Sequence, residues 1–163
     1  MPVATFISLN ICPVINIRPY KPDDAESLLE IFDTNVPAYF HSSERQELVE
    51  YLDEEREDYF VIEYQNTVVG AGGINYIEAE GQARLSWDFI HASYHGQGLG
   101  RLLVEHRINW VLSKTAYRQM IVRTAQFTYL FYAKFGFSLV RTEPDYWAKG
   151  YDLYLMMLDL DQN

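Results

Sequence analysis

The chain has 163 residues, 48% of them hydrophobic, enough to bury one sizeable core and suited to one domain rather than two. A formal net charge of -10 and a pI near 4.7 argue against a nucleic-acid partner, whose phosphates demand Lys and Arg, and no apolar run approaches the length of a membrane span. Cys12 is the single cysteine, so no internal disulfide can form; this fits a reducing cytoplasm, and the sequence predicts a cytoplasmic protein without a membrane or nucleic-acid partner.

Residues 1–13 are moderately apolar but lack a basic region and a cleavage site, so they are expected to be an N-terminal extension to a single domain over 14–163. INIR at 15–18 alternates like a short strand. Pro19 and Pro22 break it, and Asp23 and Asp24 stand where a helix N-cap is expected, ahead of the stripe Ala25, Leu28, Leu29, Phe32; Asn35 and Pro37 end this helix. A second helical pattern from Ser43 to about Asp58 turns Leu48, Tyr51 and Leu52 inward, and its many acids, Glu44 among them, are expected on a solvated face. Three β-rich runs follow, with turns predicted at Gln65-Asn66 and at Glu80-Gly81-Gln82. Gly70, Gly72 and Gly73 in the middle run predict a bulge or close packing against a helix.

The stretch from Trp87 to Val104 reads as strand, glycine loop, helix. Gly96, Gly98 and Gly100 fall on alternate positions, so successive backbone N–H groups can be aimed at one anion, reinforced by the start of the next helix. A P-loop would need Gly-Lys-Ser/Thr and a dinucleotide fingerprint would need G-x-G-x-x-G; neither is present. The glycines alone are equally compatible with an empty turn. The helix from Leu99 is expected to bury Leu99, Leu102, Leu103 and Trp110, with His106 on the same stripe as a packed ring. A strand over 120–125, a short helix over 127–135 stopped by Gly136, and a closing hairpin around the aromatic loop DYWAKGY complete the chain.

Taken together, HGQGLG before a helix, then a strand, then FYAKFGF at Phe131–Phe137 resemble the GCN5-related N-acetyltransferase (GNAT) superfamily over about residues 14–160. The resemblance implies an α/β (α+β) fold: a central mixed, mostly antiparallel sheet of six to seven strands, splayed at strands 4 and 5 and flanked by about four helices. It implies that His95, Gly96, Gln97, Gly98, Leu99 and Gly100 hold the pyrophosphate of acetyl-coenzyme A (acetyl-CoA), with Arg101 nearby. His95 stands where the family has Arg or Gln. The pantetheine arm is then expected in a gap between Phe89–His91 and Ile121–Thr124, pairing with Phe89, Ile90 or His91, one of whose N–H groups would stabilise an oxyanion. Seven residues before Tyr132, where the family often has a coenzyme-binding asparagine, stands Ala125; the adjacent Gln126 is the expected substitute.

Tyr132 matches the tyrosine that the family uses to protonate the departing thiolate, a transfer from a phenol of pKa about 10 to a thiolate whose acid lies near about 8.5. The strand Met120–Arg123 carries no carboxylate, so Asp88, beside the presumed acetyl position, is the candidate base; a water chain ending at Glu78 or His91 is the alternative. The resemblance thus implies an acetyl-CoA-dependent N-acetyltransferase acting on a primary amine, of a small molecule or a peptide N-terminus, by direct attack in a ternary complex. No metal is implied, and the protein is expected as a monomer or homodimer. The competing expectation is a non-catalytic acyl-CoA-binding regulatory module.

Overall fold

A computed structural model describes residues 12–161, so of the expected N-terminal extension only Cys12 and Pro13 fall among the described residues. Strands β1 (Ile15–Pro19), β2 (Asp58–Tyr64), β3 (Thr67–Ile77), β4 (Gln82–Ile90), β5 (Gln119–Thr124), β6 (Ser138–Ala148) and β7 (Tyr151–Asp159) form one sheet in the order β1-β2-β3-β4-β5-β7-β6. Every neighbouring pair is antiparallel except β4 and β5, which run parallel. Helices α1 (Ala25–Asp33) and α2 (Glu44–Glu50) pack on one face, while α3 (Leu99–Ser113) and α4 (Tyr129–Ala133) cover the other. This is the mixed, mostly antiparallel sheet that the resemblance implies. Among the described residues no helix is long and apolar enough to cross a membrane.

Local chemistry explains most element ends. Gln65 and Asn66 both take positive φ (49° and 65°), the geometry of a two-residue hairpin whose twist matches its strands. Gly136 takes φ 93° just past α4, and its N–H donates to the Ala133 carbonyl at 3.1 Å, closing that helix. Two elements differ from expectation. The second helical pattern does not run to Asp58: α2 gives way to a single π-helical turn at Tyr51–Glu55, and Asp58 already opens β2. Tyr51 and Leu52 still face inward, which is why the apolar pattern reads as uninterrupted. The aromatic loop is largely strand, because β6 continues through Tyr146 and Trp147 to Ala148 and the chain reverses at Gly150 (φ 82°).

Helix α3 buries Leu99, Leu103, Val104, Arg107 and Val111, whereas Leu102 and Trp110 are partly exposed. The buried stripe is therefore rotated from the predicted one, and it contains a cation. Across the sheet, Ala71 pairs with Phe89 and Gly73 with Ser86, so Trp87 and Asp88 together oppose Gly72. This is a β-bulge, and Trp87 sits in it at φ 51°, a left-handed conformation unusual for a bulky side chain. Trp87 packs with Phe32, Phe40 and Tyr51 on the α1/α2 face. Asp88 reaches Arg107 and Tyr132 on the α3/α4 face. A Cβ at Gly72 would lie 2.7 Å from the Arg107 guanidinium carbon, and one at Gly73 would lie 2.4 Å from the Tyr59 ring, so these glycines serve close packing.

Strands β4 and β5 pair only from Gln82 with Gln119 to Leu85 with Val122. Beyond that they part, and Phe89, Ile90, Arg123 and Thr124 line a cleft that opens between them.

Candidate active site

The cleft encloses about 1180 Å³, more than a typical small-ligand pocket and roomy enough for two substrates. The glycine loop forms part of its wall. Gly96 (φ 75°) and Gly98 (φ 81°) adopt conformations that side chains resist, and the space a Cβ would occupy is open at both. Gly98 is the N-cap of the 15-residue α3, so the first amides of that helix point out beside the loop with its partial positive charge. Arg101 in the first turn of α3 and Lys134 just after α4 also line the cleft. A backbone cradle of this kind suits an anion; beside it stand Lys134 and Arg101, the latter paired with Glu105 at 2.8 Å.

Of the residues expected to contact the coenzyme, Phe89, Ile90, His95, Gly96, Gly98, Leu99, Gly100, Arg101 and Tyr132 line the cleft, as does Asp88. His95 also braces the loop, its Nε2 lying 2.8 Å from the Ile90 carbonyl. His91, Gln97 and Gln126 are not among the lining residues. The His91 N–H donates to the Val69 carbonyl at 2.7 Å, which commits it to β3. The Gln126 amide is spent on the closing hairpin: it donates to the Gly150 carbonyl at 2.7 Å and accepts from the Asp152 N–H at 2.9 Å. Its side chain is therefore a tie between the β5–α4 turn and the β6–β7 turn, and is not directed at the cleft.

Tyr132 lines the cleft, buried, and its hydroxyl donates to Asp88 Oδ2 at 2.8 Å. Burial pushes its phenol well above the usual tyrosine range; the Asp88 charge adds to this and the Arg107 charge opposes it. Arg107, fully buried, grips Asp88 with both prongs, Nη1 to Oδ1 at 2.5 Å and Nη2 to Oδ2 at 2.6 Å. Its remaining contacts are backbone: Nη1 donates to the Gly73 carbonyl at 3.0 Å and Nε to the Leu103 carbonyl at 3.1 Å. Burial alone would lower the guanidinium pKa, but the Asp88 charge and hydrogen bonds outweigh it and keep the group ionised. A carboxylate engaged in this way by a guanidinium fork and a phenol is poorly placed to take a proton directly from an amine. Arg107 escaped sequence reading, and the available signal was its place on the ladder Leu99, Leu103, Arg107, Val111.

A second missed residue is Glu44. It was expected on the solvated acidic face, but it is only 6% exposed and lines the cleft, sharing a helix side with Leu48. Its Oε2 accepts the His41 N–H at 2.7 Å. Burial pushes its carboxyl from 4.5 to about 7, while that hydrogen bond pulls the other way. Because the folded value lies above the unfolded one, the associated stability is full below about pH 4.5 and is lost as pH rises through about 7. Glu44→Gln keeps an acceptor for His41 and removes the titration. Denaturant unfolding of the two proteins is therefore expected to show the variant gaining about 1–3 kcal/mol over the native protein between pH 4.5 and pH 8, solvent screening in the open cleft keeping the difference in that range. A pH-independent difference would place the Glu44 carboxylate in effective contact with water.

Comparison with known proteins agrees with this geometry. The sequence description of the acetyltransferase (GNAT) family matches residues 25–137. No curated protein matches the sequence. Similar solved structures include an N-acetyltransferase from Staphylococcus aureus Mu50, at 22% identity and a TM-score of 0.72 over 90% of this chain and 99% of that one. The ribosomal-protein-S18-alanine N-acetyltransferase from Escherichia coli shares 17% identity at a TM-score of 0.75, covering 90% of this chain and 94% of that one. An aminoglycoside 6'-N-acetyltransferase complexed with coenzyme A shares 17% identity at 0.70, covering 89% and 97%. The family match spans more than half of the chain, so the protein belongs to the GNAT acetyltransferase family, whose shared reaction is acetyl transfer from acetyl-CoA.

Proposed function

We propose that the protein is an acetyl-CoA-dependent N-acetyltransferase that acetylates a primary amine by direct attack within a ternary complex. The observation that carries this reading is the presence, in one cleft, of an anion cradle, two parted strands and a buried tyrosine hydroxyl. Acetyl-CoA is the first substrate. Its pyrophosphate fits the Gly96–Gly100 amides with Arg101 and Lys134 beside them, and its extended arm fits the gap between β4 and β5. Since the His91 N–H is turned toward β3, strand alternation turns that of Ile90 toward the gap, where it suits an oxyanion.

The amine approaches past Phe40, Trp87, Trp147 and Tyr151; α2 and the turn after it add Glu44, Glu47, Glu50 and Glu55 to the cleft wall, against Arg84 and Arg123 from β4 and β5. That mixture of rings and carboxylates favours a cationic, partly apolar amine. The cationic amine first gives one proton to water in the carboxylate-lined part of the cleft; the lone pair so freed forms the C–N bond, the C–S bond breaks, and sulfur keeps that electron pair and receives the Tyr132 proton. The surplus proton on nitrogen leaves to water in the carboxylate-lined part of the cleft, and an equivalent proton returns to Tyr132, so one proton passes from amine to thiol overall. A small molecule and a peptide N-terminus both satisfy this chemistry.

The test is free-thiol release from acetyl-CoA over a panel of small amines, peptides with free N-termini and aminoglycosides. Turnover with a primary amine, and none with its N-acetylated form, is the expected result. Coenzyme A binding without turnover on any acceptor would replace this reading with an acyl-CoA-binding module.

A further inference from the structure

We propose that Arg107, acting through Asp88, is a positioning residue for Tyr132: it fixes the carboxylate that fixes the hydroxyl, and shares enough of that carboxylate's charge for the phenolic proton to leave toward sulfur. The inference rests on the acetyl-transfer reading and deepens it by adding two residues behind the acid.

The geometry is over-determined at the arginine end. Backbone carbonyls of Leu103 and Gly73, from α3 and β3, hold the guanidinium, and the missing side chain of Gly72 leaves room for it. The bulge in β4 delivers Asp88 to its prongs. Asp88 Oδ2, already held by Nη2, also accepts the Tyr132 hydroxyl, whose oxygen is thereby set at a fixed point on the cleft wall. A buried ion pair is seldom the most stable filling for a core, since apolar side chains of the same volume often do as well or better. This one joins β3, β4, α3 and α4 at a single hydroxyl in the wall of the cleft.

The arrangement also answers a chemical difficulty. The Tyr132 proton is held by Asp88, yet it must reach sulfur when the C–S bond breaks, by swinging about the bond between the ring and its oxygen. An unpaired carboxylate in a buried site would compete strongly for that proton through a charge-assisted hydrogen bond. Paired to both guanidinium prongs, Asp88 holds it less tightly, consistent with the opposing influences of Asp88 and Arg107 on the Tyr132 phenol. The negative charge that develops on sulfur then becomes the better partner. No net proton is gained or lost by Asp88 or Arg107.

The test is a set of double-mutant cycles. Arg107→Met, Arg107→Lys and Asp88→Asn are each made in the native protein and in Tyr132→Phe, and kcat and KM for acetyl-CoA are measured by thiol release. The acceptor is the best amine of the panel and, separately, water alone. In the native background Arg107→Met and Asp88→Asn should lower kcat about 10- to 100-fold with KM changed less than about twofold, and Arg107→Lys should fall between. In the Tyr132→Phe background the same changes should alter kcat less than about twofold, because the group they act through is gone. Circular dichroism and coenzyme A titration check folding, and Arg107→Lys carries the cycle if Arg107→Met does not fold. Equal losses in both backgrounds, or native kcat in a folded Arg107→Met protein, overturns the proposal. A native protein that releases no thiol with any acceptor, water included, overturns the acetyltransferase reading and this inference with it; an active native protein with additive losses overturns the inference alone.

Discussion

Tyr132→Phe should lower turnover about 100- to 1000-fold while leaving the KM for acetyl-CoA within about twofold, as measured by steady-state thiol release. The substitution removes one oxygen and little else. The ring keeps its edge-on neighbours Phe131 and Phe137, and Arg107 keeps both prongs on Asp88. The residues proposed for the pyrophosphate lie on another element, at Gly96–Gly100, and do not depend on the phenol. What is lost is a proton donor at the point where sulfur acquires charge, which affects the transition state far more than binding. Undiminished turnover would take Tyr132 out of the mechanism, and a large rise in KM would make it a binding residue.

Arg107→Ala should destabilise the fold by about 3–5 kcal/mol in urea denaturation at pH 7, because it leaves Asp88, whose side chain is 13% exposed, without its counter-ion and opens a void under β3. A double replacement, Arg107→Met with Asp88→Asn, should recover part of that loss, since no buried charge is then left unpaired. A loss below about 1 kcal/mol for the single change would mean that water reaches the carboxylate as soon as the guanidinium is removed. Stability and catalysis separate here: the double variant regains stability without regaining the partner that Tyr132 requires.

What was legible in the sequence follows from how local the determining physics is. The Gln65-Asn66 turn and the glycine loop depend on backbone conformations that a few residues dictate, and both occur where expected. The splay of β4 from β5 came from the family resemblance rather than from any periodicity in the residues. Arg107 was not legible, because an arginine on a helix is ordinarily solvated and only its sheet-side partner explains its burial. Glu44 was hidden in the same way among acids that are mostly exposed. The glycines of β3 predict a bulge, and β3 has one against β2 with Val69, beside Gly70, as its extra residue; the second, against β3, has its extra residue at Trp87 in β4, which no glycine or proline marks. Gln126 illustrates the opposite error: its neighbourhood to the coenzyme-binding position suggested a ligand contact, while Gly150 and Asp152, distant in sequence, claim its amide.

The four paired positions of β4 and β5, followed by divergence, leave two interior strand edges facing each other across the cleft. A sheet usually confines such edges to its rim, where they are guarded against stray pairing. Here the rim has been moved inside the molecule, so the coenzyme arm proposed for the gap would act as a missing strand rather than as a guest in a finished pocket. Saturating coenzyme A is therefore expected to raise the free energy of unfolding, by an amount that grows with the logarithm of its concentration above Kd.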